Sequence, residues 1–114
     1  MAKKTIRCCG YVRTSTIDPD PKKTKSRITS QKTQITKYVN YEGWQFTEFY
    51  ADVGISGASR DSRPDFTRMM QDAQDGKFNF IIVRGLARFG RNSLDTLQSI
   101  KELDKCGVAV YFVK

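Results

Sequence analysis

A chain of 114 residues has room for one domain with a real core and not for two. Its 20 lysines and arginines against 12 aspartates and glutamates leave a net charge of +8, which favours an anionic partner, nucleic acid being the commonest for a basic domain, although such charge can also serve solubility alone. Histidine is absent and the three cysteines, Cys8, Cys9 and Cys106, show no Cys-x-x-Cys spacing, so zinc is not expected and buried free thiols are, as in a cytoplasmic protein. No run is apolar enough to act as a secretion signal or to span a bilayer, so no membrane partner is expected.

In chain order, residues 5–12 read as a buried strand, and a period of two places Arg13 and Ser15 on one side of its end. A cation beside a hydroxyl suits phosphate, because a guanidinium holds two phosphate oxygens at once. Alone, the stretch is better read as an ordinary strand end with a solvated arginine and a turn-forming serine. Residues 17–25 hold Pro19, Pro21 and several charges and read as a mobile basic loop, either a lysine-rich arm for a nucleic-acid backbone or a solvated insertion. A first helix is expected over 27–42, capped by Ser26 or Thr29, with Ile28, Ile35, Tyr38 and Val39 inward and Gly43 at its end. Gln31 on that helix could point back to the end of the first strand.

A second strand is expected over 44–51, followed by a glycine-bearing loop from Asp52 through Ser56 to Gly57. Pro64 suits the first position of a second helix, with Asp61 or Ser62 as cap and Phe66, Met69, Met70 and Ala73 packing inward. Residues 78–83 read as a central strand buried on both faces. Arg84 follows it, then Arg88 and Arg91, and a helical turn there would point all three one way. The bland reading of these arginines is a solvated basic face. A third helix is expected over 93–105 with Leu94, Leu97, Ile100 and Leu103 inside, then a last strand over 108–113. A strongly apolar strand at the terminus is the expectation of a domain cut from a longer protein.

Strands alternating with helices imply an α/β fold, a three-layer α/β/α sandwich around a mostly parallel sheet. Loops after parallel strands share the carboxyl edge, so Arg13 and Ser15, the loop from Asp52, and the segment 84–91 should be neighbours. Phosphoryl transfer to a serine needs a positioned hydroxyl and donors for the non-bridging oxygens, which arginines supply without a metal. The chain has no Walker loop, no cluster of carboxylates for two metals and no evident base for Ser15.

Taken together, Tyr11-Val12-Arg13-Thr14-Ser15, Gln31, Asp52, Ser56-Gly57, Arg63-Pro64 and Leu86-Ala87-Arg88-Phe89-Gly90-Arg91-Asn92 resemble the catalytic domain of the serine recombinases, the resolvase and invertase family, of the large transposon and phage type. The match spans nearly the whole chain. The resemblance implies a resolvase-like sandwich and site-specific DNA recombination without metal, nucleotide or other cofactor. Ser15 would attack a DNA phosphodiester, giving a 5′-phosphoserine link and a free 3′ hydroxyl. Arg13, Arg63, Arg88 and Arg91 would hold the phosphate, and Gln31, Asp52 and Ser56 would support the site. It further implies DNA as partner and a homodimer that becomes a tetramer on two DNA sites. The dimerisation helix and DNA-binding domain would lie beyond this 1–114 catalytic domain. Ala87 stands where the family often has an acidic residue, and the 18–25 segment lengthens the loop after Ser15, leaving Ser26 as a weak counterpart for a polar residue there. The competing reading is a DNA- or phosphate-binding module that keeps the fold and only binds. A dinucleotide-binding domain fits worse, since no GxGxxG follows the first strand.

Overall fold

Strand and helix alternate as the hydrophobic pattern requires. The computed structural model describes residues 6–14, 20–53, 63–84 and 93–113. Its elements are β1 (Arg7–Thr14), α1 (Pro21–Glu42), β2 (Gln45–Val53), α2 (Pro64–Gln74), β3 (Phe80–Arg84), α3 (Ser93–Lys105) and β4 (Ala109–Val113). The four strands form one sheet in the order β2-β1-β3-β4, every pairing parallel. Each crossover carries a helix, as parallel neighbours demand.

Burial follows from that order. The central strands β1 and β3 are closed on both faces, while β2 and β4 form half-exposed edges. One face packs Cys8, Val12 and Ile82 against Ile35 and Val39 of α1. The other packs Cys9, Tyr11, Ile81 and Val83 against Phe66, Met69 and Ala73 of α2 and Leu103 of α3. This is the three-layer sandwich the alternation predicts, and Cys8 and Cys9 are the buried free thiols expected. No helix among the described residues is long and apolar enough to cross a membrane.

An irregularity in β2 orients the site. Cys8 pairs with Phe46 but Gly10 pairs with Phe49, so β2 carries one extra residue there. A one-residue offset reverses which side chains face which layer. Phe46 and Phe49 consequently both face the α1 layer, and Tyr50 turns to the α2 layer, taking Asp52 with it by the period of two. Phe49 lies so close to Gly10 that a Cβ there would sit 2.6 Å from its ring, which explains a glycine inside a central strand.

Two expectations need correction. Helix α1 starts at Pro21, not near residue 27, so residues 21–25 are helix rather than loop; residues 15–19 lie outside the described residues. Proline is favoured in a first helical turn, where its missing N–H costs nothing, and the Asp20 carboxylate accepts the Lys22 N–H at 3.0 Å as cap in place of Ser26 or Thr29. At the other end Gly43, with φ of 72°, closes the helix as expected. In α3 the buried face is Thr96, Ser99 and Leu103 with Ile100 at its margin, while Leu97 is 57% exposed. A strict spacing of three drifts by about 60° per step on a helix of 100° per residue, which swings Leu97 about 120° away from Leu103.

Candidate active site

Because all strands are parallel, β1, β2 and β3 end at one edge, in Thr14, Val53 and Arg84. Arg13 pairs in register with Asp52. Asp52 is buried, and its carboxylate accepts three hydrogen bonds: Oδ2 accepts the Tyr11 hydroxyl at 2.7 Å and the Phe66 N–H at 3.0 Å, and Oδ1 accepts the Asp65 N–H at 3.0 Å. Asp65 returns the contact, its Oδ2 accepting the Ala51 N–H at 2.9 Å. The carboxylate of β2 thus caps α2 from outside and meets the positive end of its dipole. Arg63, at the N-cap position, makes no side-chain cap bond; the expected caps Asp61 and Ser62 lie outside the described residues.

That tie fixes Arg63. Its guanidinium stacks 3.9 Å from the centroid of the Phe66 ring, which in turn meets Tyr11 edge-on at 5.3 Å. Burial pushes the Tyr11 phenol far above its ordinary pKa, the hydrogen bond to Asp52 and that carboxylate's charge add to this, and the charge and hydrogen bond of Arg63 oppose it. A neutral phenol therefore sits between a carboxylate and a guanidinium.

Gln31 does what its spacing predicts. Its Oε1 accepts the Arg13 N–H at 3.3 Å and its Nε2 donates to the Arg13 carbonyl at 3.2 Å. The pairing of β1 with β3 runs only to Tyr11 and Val83. Gln31 then gives Arg13 the hydrogen bonds that a further strand residue would make.

The structure therefore brings together Arg13, Gln31, Asp52 and Arg63, with Arg84 half-buried at the same edge. Ser15, Ser56, Arg88 and Arg91 lie outside the described residues. Ser26 is exposed on α1. Arg13 is 4% exposed and Arg63 fully closed off from water. Two contributors carried no role in the sequence reading, the Tyr11 hydroxyl and Asp65. The alternation of Tyr11 with Arg13 hinted at the first; nothing short of the fold reveals the second. Among the described residues no three potential metal ligands gather.

A second cluster of the same residue types lies toward the other end of α2. Tyr50 donates to Asp72 Oδ2 at 2.6 Å, Lys77 Nζ stands 3.2 Å from Asp72, and the Arg68 guanidinium covers the Tyr50 ring at 4.2 Å while pairing with Glu48. Chiefly through the Tyr50 hydrogen bond, then through Lys77 and Arg68, and against the effect of burial, Asp72 is held below the usual carboxylate range.

A parallel α/β/α domain with buried arginines and a carboxylate at the carboxyl edge is the class that fold and site define. The family model "Resolvase, N terminal domain" matches residues 8–114, and the chain belongs to that family of serine recombinases. The N-terminal catalytic domain of TP901-1 integrase superposes with a TM-score of 0.84 at 30% identity, over 93% of this chain and 76% of that one. A resolvase family site-specific recombinase from Streptococcus pneumoniae gives 0.80 at 31% identity, over 96% and 72%. The catalytic domain of ISC1926 TnpA, an IS607-like serine recombinase, shares the fold, with a TM-score of 0.80 at 19% identity over 96% and 70%. Comparison with curated proteins returns no match.

Proposed function

We propose that this chain is the catalytic domain of a site-specific DNA recombinase in which Ser15 is the nucleophile, within a longer protein that supplies a dimerisation helix and a DNA-binding domain. The observation that carries the reading is the convergence of Arg13, Asp52 and Arg63 at the sheet edge, two residues from Ser15, in a member of the resolvase family. The Ser15 oxygen attacks the phosphorus in line, the bond to the 3′ oxygen breaks, and a 5′-phosphoserine link remains with a free 3′ hydroxyl. Attack by a 3′ hydroxyl of a partner strand reverses the step. One phosphodiester is exchanged for another at each stage, so no nucleotide hydrolysis is needed.

Arg13 and Arg63, with Arg88 and Arg91, stabilise charge on the non-bridging oxygens, most strongly where water is excluded. Asp52 and Gln31 hold the backbone and the helix end that carry the first two, and Ser56 lies on the loop after β2. No metal or other cofactor takes part. DNA is the substrate, and exchange takes place between dimers paired in a tetramer.

The test is a suicide duplex, nicked near the cleavage point so that religation fails, incubated with the full-length protein in EDTA. A covalent protein–DNA adduct is expected, and Ser15→Ala abolishes it. Persistence in Ser15→Ala overturns the assignment, and binding without any adduct favours the module that only binds.

A further inference from the structure

Most of the chain's surplus charge sits on one helix. Helix α1 carries six cations, Lys22, Lys23, Lys25, Arg27, Lys32 and Lys37, against the single carboxylate of Glu42, a surplus of five out of the net +8. Where those charges lie is set by packing. Gln31 is tied to Arg13 near the end of β1 and Ile35 lies beside Gly10, three residues earlier on that strand, so α1 runs antiparallel to β1. The ten residues before Gln31 therefore continue beyond the carboxyl edge of the sheet, by about 15 Å at 1.5 Å per residue. From Lys22 to Ser30 the described side chains are exposed, Ile28 alone being half-buried, whereas Ile35 and Val39 are in the core.

This projection is crowded with positive charge. Beyond the Asp20 cap the first turn has no acidic residue, so a single carboxylate and three lysines share the positive end of the helix dipole. Lys22 with Lys25, and Lys23 with Arg27, fall at spacings where like charges repel on a helix. A polyanion laid along the exposed turns removes both penalties, and the projection rises from the edge that holds Arg13 and Arg63.

We propose that residues 21–30 of α1 form a finger that grips the sugar-phosphate backbone of DNA beside the reacting phosphate, without reading its sequence. The inference rests on the recombinase reading and extends it to a contact outside the active site. Such contacts add affinity with a steep salt dependence, about 0.9 in the slope of log K against log salt for each phosphate neutralised.

The test uses the 114-residue chain and a generic labelled duplex, with anisotropy read across a salt series. The triple variant Lys22→Gln, Lys23→Gln, Lys25→Gln should lower affinity about tenfold or more at low salt and flatten the slope by about 2 to 3, with an unchanged circular dichroism spectrum above residue-level noise. The matched triple Lys37→Gln, Lys101→Gln, Lys105→Gln removes the same charge from exposed positions toward the opposite sheet edge and should cost less than half as much. Equal losses from both triples, or none from the first, overturn the proposal. The two readings fail separately: in the full-length protein the finger variant should regain the Ser15 adduct when salt is lowered, whereas loss of the recombinase reading would show as an adduct that survives Ser15→Ala while the salt slopes still differ.

Discussion

Two tyrosine–aspartate–arginine clusters bracket α2, made from the same residue types and put to different use. At its start, Tyr11 donates to Asp52, the helix amides of Asp65 and Phe66 complete the carboxylate, and Arg63 is buried against Phe66. Toward its end, Tyr50 donates to Asp72, and the balancing cations Arg68 and Lys77 have side chains 47% and 62% exposed. Water can replace much of what the second set supplies and almost none of what the first set supplies. Residue type alone does not mark a site; burial of the cation and its place at the carboxyl edge do.

The sharpest way to break this comparison is to remove each aspartate. Asp52→Ala leaves the buried Tyr11 hydroxyl and two helix N–H groups without an acceptor beside the buried Arg63, and should cost about 3–5 kcal/mol. Asp72→Ala, where the buried Tyr50 hydroxyl loses its acceptor but Arg68 and Lys77 turn to solvent, should cost less, about 1–2 kcal/mol. Chemical denaturation of the two variants measures the gap, and equal losses would dissolve the distinction.

A smaller effect comes from pH. Asp72 has a lowered pKa in the folded protein, so its contribution is full above the unfolded value of about 4 and is lost as pH falls through the folded one. The tyrosines behave in the opposite sense: the Tyr11 and Tyr50 hydroxyls are raised by burial and by their carboxylates, so their contribution is full below about 10 and is lost as pH climbs through the folded values. Stability measured against pH should show Asp72→Asn flattening the acid limb and leaving most of the alkaline limb in place.

Much of this was legible in the chain. The alternation of β- and helix-patterned runs marked the layers, Gly43 marked the end of α1, and Gln31 was expected to point back to the end of the first strand, where the fold shows that its partner is the Arg13 backbone. What stayed hidden depends on geometry that spacing does not carry. Pro19 and Pro21 read as breakers because proline stops a helix it interrupts, yet at a first turn behind an aspartate Pro21 starts one. Leu94, Leu97, Ile100 and Leu103 look like a stripe, but a period of three is not the helix's own: Leu103 is buried and Ile100 packs on the core, while Leu97 turns outward and Thr96 and Ser99 share the inner face; the Leu94 side chain lies outside the described residues. The role of Asp52 needed the extra residue in β2, since without it Tyr50 and Asp52 would face α1 instead of Arg63. Ser15, Ser56, Arg88 and Arg91 were named from the sequence and lie outside the described residues, so their part rests on the family and on chemistry.

The central claim is that the carboxyl-edge cluster, and not its twin, is built to position groups for phosphate chemistry. Single-turnover cleavage of the suicide duplex at saturating DNA, compared for Tyr11→Phe and Tyr50→Phe at matched folded fraction, tests it most directly. Loss of the Tyr11 hydroxyl should slow cleavage about tenfold or more, equivalent to about 1.4 kcal/mol in the barrier, while Tyr50→Phe should stay within about twofold of the parent. Equal rates for the two variants would contradict the account.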